Sequence, residues 1–338
     1  MAEATLENQI STWTQLRHRL ADFPEGVALV SFLAIFFFFT FATDNFFSLI
    51  AISNILTFAS ITGIMVIGVA MLMISGEFDL SVGSTMAVAS YIFALSLNAG
   101  MDPILAVLFA LVVSAILGAI NGLILVWTGI PSFIITLGTL LAYRGIARAI
   151  GGGTLAAYQG EPLAIFTFLN GPITFINDLS QLPSNLRVSI LWFIAIAVIG
   201  ALVLRRTRYG NWVYATGGNP GAALAQGVAI NRVKVFNFIL TGFLAGVAGV
   251  VQFAHRTSVD PLRGFGLELI AVAACVIGGA KLSGGYGTIF GAVVGILLLQ
   301  MLEQGLILMA VPVQIFQAVA GAILIFAVIS NTYLSEEG

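Results

Sequence analysis

Charge is what this sequence has least of. Of 338 residues only 8% are Asp, Glu, Lys or Arg, against about 25% in an ordinary soluble domain. With 59% hydrophobic residues and a mean hydropathy of +1.06, the chain cannot clothe itself for water, and most of it must face lipid. There is one cysteine, Cys275, which excludes a disulfide or cysteine–metal framework; inside an apolar run it reads as a small packing residue. Two histidines, His18 and His255, are too few and too far apart for a metal site. No G-x-x-x-x-G-K-[ST] occurs, and the only lysines, Lys234 and Lys281, follow Val and Ala. The chain therefore has no P-loop for ATP. The absence of a His pair, H-E-x-x-H or a nucleophile elbow argues against an intramembrane enzyme. A net charge of −2 carries no sign of nucleic acid.

What is present is long apolar runs. A bilayer core of about 30 Å takes roughly 20 apolar residues as a helix. About ten ranges qualify: 27–43, 58–75, 81–98, 104–127, 131–149, 187–204, 234–254, 266–280, 285–309 and 313–330. Several are short or glycine-rich, which suits broken or re-entrant helices. None alternates as a barrel strand would. The first 26 residues are mostly polar and lack the core and cleavage site of a secretion signal. Leu6, Ile10, Trp13, Leu16 and Leu20 recur there at helical spacing, which predicts an amphipathic helix on the membrane surface. The loop 205–233 holds four arginines and no acid, whereas 150–186 holds Glu161, Asp178 and no Lys or Arg. The positive-inside rule then puts both termini in the cytoplasm.

The two halves resemble each other. "MAVASYIFALSL" (86–97) aligns with "IAVAACVIGGAK" (270–281), and "NGLILVWTGIPSFI" (121–134) with "QGLILMAVPVQIF" (304–316). Repeat one covers about 58–149 and repeat two about 234–330. The first starts outside and the second inside, so the units are inverted, and a path is expected at their interface. "GEFDLSVGS" (76–84) is the break between two helices of the first unit, and "RGFGLELIA" (263–271) is its partner. Asp79 can cap the following helix. Glu77 has no such role. It is a functional group if at membrane depth, and simply solvated if at the cytoplasmic mouth. Ser132, Thr136, Thr139 and Tyr143 form a polar stripe, as do Gln314 and Gln317. Thr136 matches Gln317 across the repeat, and Asn121 matches Gln304. Glu77, Asp79, Asn121, Thr136, Glu268, Gln304, Gln314 and Gln317 are thus the candidates for a path suited to an uncharged polar solute. Helix–helix adhesion is the competing role for any one of them.

"RRTRYGNWVYATGGNPGAALAQGVAINR" (205–232) is the longest inside loop. Asn219 suits an N-cap, Pro220 the first helical position and Gly227 a stop, so "PGAALAQ" predicts a two-turn helix. The loop reads as a docking surface for another protein.

Taken together, "GEFDLSVGS", "YATGGNPGAALAQGVAINRVKV", "LTGFLAGVAGV" and "GGAKLSGGYGTIFGAVVG" resemble the permease subunits of bacterial sugar ABC importers. The likeness runs from about residue 45 to 330 and is nearest to permeases for ribose and related monosaccharides. It implies an all-α integral membrane protein, about ten transmembrane helices in two inverted repeats, of the type II importer kind. It implies a permease pair, an ATP-binding cassette ATPase subunit that holds ATP and magnesium, and a periplasmic or lipoprotein sugar-binding protein. The permease would translocate a monosaccharide or polyol across the inner membrane and bind no cofactor itself. Gly217, Gly218, Asn219, Pro220 and Ala223 match the region expected to couple to the ATPase, and the loop 150–186 would face the binding protein. The chain then divides into an amphipathic segment 1–26, a permease domain 27–330 and a cytoplasmic tail 331–338. Glu77 and Phe78 depart from the commonest pattern, a single Ile before "DLSVG". The alternative is an ion-coupled secondary transporter using Glu77, Asp79, Glu268 or Glu303; a passive channel is a further one.

Overall fold

A computed structural model describes residues 24–179, 184–312, 315–323 and 325. The amphipathic segment and the tail expected at 331–338 lie outside these, apart from residues 24–26. Apolar composition makes the helices, and polar or glycine residues punctuate them. Helix α1 spans Pro24–Ala42 and α2 Leu49–Ile74; Ser48 caps α2 by accepting from the Ala51 amide. Helix α3 is Val82–Asn98. Helix α4, Pro103–Thr128, opens with Asp102 accepting from two amides and Pro103 at its first position, and closes on Gly129 at φ +67°. Helix α5 is Ser132–Ile150. After strand β1, Ala156–Ala157, come α6, Ala164–Asn170, and α7, Thr174–Leu179. The chain continues through α8, Val188–Arg206; α9, Arg208–Gly218; α10, Pro220–Ala225; and α11, Ile230–Arg256. Strand β2, Ser258–Val259, precedes α12, Leu267–Ile277, and α13, Ile289–Leu308. Residues 315–323 are again helical.

Each of the ten apolar ranges falls on a helix, the last over the residues described there. Among the described residues six helices are long and apolar enough to cross a membrane: α2, α4, α5, α8, α11 and α13. Helix α2 begins nine residues ahead of the expected 58. Ser53 and Thr57 depress the apolar signal there, but both are satisfied: Ser53 Oγ accepts from the Asn185 amide at 2.8 Å, and Thr57 Oγ1 donates to the Asn185 carbonyl at 2.7 Å. The all-helical expectation also needs one amendment, because β1 and β2 pair antiparallel, Ala156 opposite Val259.

Helices α2, α3 and α12 sit innermost, with α11 and α13 half sheathed, while α4, α5 and α8 are largely exposed. The exposed side chains of the outer helices are Ile104, Leu108, Val112, Ile194, Val198, Leu202 and their like. A continuous apolar exterior of this kind is a lipid-facing surface. Small residues let α4 and α11 touch: a Cβ on Gly118 would lie 2.2 Å from the Phe238 carbonyl oxygen, and one on Gly242 2.5 Å from that of Ser114. Such contact maximises dispersion where no hydrophobic effect operates. Helices α3 and α4 pack on α11, and α12 and α13 pack on α2.

The short helices have a definite arrangement. A Cβ on Gly83, at the start of α3, would sit 2.3 Å from the Gly264 carbonyl oxygen just ahead of α12. From that meeting point α3 runs toward the ribbon, where Asn98 Nδ2 donates to the Ala157 carbonyl at 2.9 Å. Helix α12 runs the other way, and beyond it the Gly285 amide donates to the Ile74 carbonyl at the end of α2. At about 1.5 Å per residue the 11 residues of α12 cover roughly 16 Å, half of a bilayer core.

Candidate functional site

Three of the sequence motifs converge at one end of the bundle. Thr207 caps α9, with Oγ1 accepting from the Gly210 amide at 3.2 Å, and Gly210, Val213 and Thr216 form the buried face. This helix was not foreseen within the basic loop, although the Thr207 cap and the spacing of three were its local signals. Helix α10 has the expected punctuation: Asn219 Oδ1 accepts from the Ala222 amide at 3.0 Å, Pro220 leads, and Gly227 follows at φ +81°. It stands clear of the bundle with only Ala223 buried; Gly218, Asn219 and Pro220 are exposed.

The root of this lever is held by backbone contact. A Cβ on Gly217 would lie 2.0 Å from the Ile74 carbonyl oxygen and 2.5 Å from the Gly285 nitrogen. One on Gly284 would lie 2.6 Å from Gly76 Cα. The Gly285 amide donates to the Ile74 carbonyl at 2.8 Å, and Tyr214 Oη donates to the Gly287 carbonyl at 2.8 Å. The end of α2, the α9–α10 corner and the loop before α13 therefore share one glycine-lined junction that side chains would wedge apart.

Glu77 lies beside this junction. Its Oε1 is 2.5 Å from Lys234 Nζ, early in α11, and the two side chains are 9% and 22% exposed. The carboxylate is neutralised by a partner that sequence reasoning did not supply. Asp79 is buried two residues on. Its Oδ1 accepts from the Ser81 amide at 2.8 Å and from Ser81 Oγ at 2.6 Å. It thus braces the residue before α3 rather than capping the helix amides. Asn121 Nδ2 donates to Ser81 Oγ at 2.9 Å and, more weakly, to Asp79 at 3.5 Å. Asn121 Oδ1 accepts from Tyr143 Oη at 3.2 Å. Burial raises the Asp79 carboxyl above its ordinary pKa, and the bonds from Ser81 and Asn121 oppose that rise. Asp79, Asn121 and Tyr143 thus come together as a brace between α3, α4 and α5. Thr136 is buried and donates to the Ser132 carbonyl one turn back, at 2.8 Å.

The remaining candidates gather away from the junction. Gly249 of α11, which meets the Met86 carbonyl of α3, lies about 22 Å along α11 from Lys234. The start of α3 meets the segment ahead of α12 at Gly83 and Gly264. Glu268 is buried there. Its Oε1 accepts from the Gly266 amide at 3.2 Å, and its Oε2 has no partner and crowds Gly83. Arg144 is buried too: Nη1 donates to the Arg263 carbonyl, while Nε and Nη2 have no partner. Gln317 lines a cavity of about 330 Å³ with Phe265, Gln300, Glu303 and Phe316. Gln304 is half-buried on the same helix as Glu303. Gln314 lies outside the described residues. Among those residues no group of His, Cys, Asp and Glu could hold a metal ion.

A many-helixed membrane protein, with a protruding polar lever rooted on a glycine junction, belongs to the class of multi-pass transport subunits. Residues 51–328 match the family described as "Branched-chain amino acid transport system / permease component". The autoinducer 2 import system permease protein LsrC of Yersinia enterocolitica serotype O:8 / biotype 1B is 35% identical over 314 residues, covering 93% of this chain and 84% of that protein. The protein of the same name from Yersinia pseudotuberculosis serotype IB is 35% identical over 302 residues, covering 89% and 82%. No solved structure matches the chain. The chain belongs to this family of ABC importer permeases, as its motifs indicated. The homologues are transport subunits of the membrane rather than enzymes, and the family works with an ATPase and a periplasmic binding protein.

Proposed function

We propose that this chain is the permease of an ABC importer for a neutral sugar-like solute, a monosaccharide, a polyol or, as the names of its relatives suggest, autoinducer 2. It pairs with a second permease copy in the inner membrane, with both termini cytoplasmic. Ten spans form two units of opposite orientation. Two facts support that topology: α3 and α12 diverge in opposite directions from the Gly83–Gly264 contact, and the packing partners of the units exchange, α3 and α4 on α11 as α12 and α13 on α2. The domain division at 27–330 and the cytoplasmic loop 205–233 follow from it.

ATP and magnesium are bound by the separate ATPase, which docks on α10. The observation that carries this coupling is the glycine junction, where Gly217 rests directly on the Ile74 carbonyl and the Gly285 amide. A push on α10 is delivered to the end of α2 and the lead-in to α13 without a compliant side chain between. The ion pair with Lys234 counts against Glu77, one of the four acids of the ion-coupled alternative, as a coupling-ion site. Proteoliposome uptake tests the proposal. Uptake is expected only with the ATPase, the binding protein and ATP. Uptake by the chain alone under a proton or sodium gradient would overturn it.

A further inference from the structure

Resting on the permease reading, we infer that the cavity beside the first turn of α12 is a solute subsite within the bundle, built for a neutral polyhydroxylated molecule. It lies between the lead-in and first turn of α12 (Phe265, Gly266, Leu267, Ile270), the second half of α13 (Gln300, Glu303) and the last helix (Phe316, Gln317), with a volume of about 330 Å³. That matches the lower end of small-molecule sites and holds a pentose or hexose. It opens beside the contact of Gly264 with Gly83, and α13 supplies residues from the half of that helix remote from the glycine junction.

The lining has the chemistry of sugar recognition. Phe265 is largely exposed and Phe316 buried, so two rings offer apolar faces to a C–H surface. Gln300 is buried and its Nε2 donates to Glu303 Oε2 at 3.0 Å, which orients the carboxylate and leaves Oε1 to accept from a hydroxyl. The exposed Gln317 adds an amide with both donor and acceptor capacity. No Lys or Arg lines the cavity. One carboxylate and no cation repel an anionic solute, so the site accepts the neutral sugar and rejects its phosphate ester. The brace of Asp79, Asn121 and Tyr143 has no such opening, because its polar atoms are bonded to one another.

The test uses the full chain with its native ATPase and binding protein in proteoliposomes, and radiolabelled D-ribose, autoinducer 2 and ribose 5-phosphate as probes. Wild type is expected to take up a neutral probe and not the phosphate. Gln317→Ala, which alters only an exposed side chain, and Glu303→Gln, which is isosteric, are each expected to cut uptake at saturating probe about tenfold, the weight of one hydrogen bond to or from a charged or amide group. ATP hydrolysis should persist. Unchanged uptake in both variants, with wild type active, would overturn the subsite and leave the permease reading standing. Failure of wild type on all three probes would instead sink the solute class, and the subsite with it. A second readout does not depend on turnover. Thiol labelling of Gln317→Cys should be slowed by saturating neutral probe, the native Cys275 being buried. Labelling at an unaltered rate would count against the subsite.

Discussion

Replacing Gly217 by alanine should separate the lever from the bundle. The backbone there does not need glycine's left-handed freedom, so the cost is contact alone. The added methyl would lie 2.0 Å from the Ile74 carbonyl oxygen, 2.5 Å from the Gly285 nitrogen and 3.0 Å from the Gly76 nitrogen. An ordinary contact begins near 3.4 Å, so α9 must retreat by about 1.4 Å. All three obstacles are backbone atoms and cannot rotate aside. Retreat pulls on the Gly285–Ile74 hydrogen bond, and overpacking of this kind costs about 1–3 kcal/mol. Gly221 is the internal control, since a Cβ there meets nothing nearer than Asn219 Oδ1 at 3.6 Å. Gly221→Ala should leave the protein unchanged or slightly firmer, because alanine favours a helix by about 1 kcal/mol over glycine. The assay is paired: thermal unfolding of the purified chain, then uptake against ATP hydrolysis in the assembled importer. Gly217→Ala is expected to lower the melting temperature and to reduce uptake more than hydrolysis. A Gly217→Ala protein that melts and transports like Gly221→Ala would refute the argument that backbone contact transmits the push.

Three further predictions follow from the same geometry. Asn219→Ala removes the acceptor for the Ala222 amide and should loosen α10 by about 1 kcal/mol; weaker co-purification of the ATPase checks this, and intact assembly speaks against docking at α10. Glu77→Gln or Lys234→Met each strands one charge of a largely buried pair, at about 1–4 kcal/mol, while the double variant should recover part of that loss; a double variant worse than the sum of the singles would show that the pair is not the source. Gly278→Ala puts a methyl 2.2 Å from the Gly291 carbonyl oxygen and should prise α12 from α13, seen as faster thiol labelling of Gln317→Cys in the same chain; an unchanged rate would exclude α12 as a wall of the cavity.

Local signals were legible and tertiary ones were not. Asn219, Pro220 and Gly227 announce α10 because capping chemistry is written within a few residues. The apolar ranges land on helices because a lipid-facing helix needs only composition. By contrast, nothing near Glu77 in sequence points to Lys234, 157 residues away, and a lone acid in an apolar chain invites a functional reading when it has a partner. Helix α2 looked shorter than it is because Ser53 and Thr57 are satisfied by Asn185, on a distant loop. The ribbon of Ala156 and Val259 involves two residues a side, too few to give a period. Among the path candidates, Asn121 and Gln317 looked alike as amides on apolar helices. Their difference, one bonded inside a brace and the other facing a cavity, belongs to the packing and not to either residue.

The junction and the cavity are joined by elements that cannot slip past one another freely. Helix α11 is locked to α4 at Gly118 and Gly242, and to α2 where a Cβ on Gly68 would stand 2.9 Å from Thr241 Cα. Thr241 Oγ1 also donates to the Gly68 carbonyl at 3.1 Å. Moving the end of α2 relative to α11 would break these contacts in series, whereas carrying α2, α4 and α11 as one block breaks none of them. The direct link is α12. Its first turn lines the cavity at Leu267 and Ile270, and the loop leaving its far end supplies Gly284 and Gly285 to the junction. Helix α12 is only about 16 Å long, and the loop that joins its end at Ile277 to Gly285 is held by the Lys281 amide on the Tyr286 carbonyl and the Gly284 amide on the Lys281 carbonyl. On the coupling proposed above, a push on α10 reaches the cavity by way of the junction, the loop 278–285 and α12.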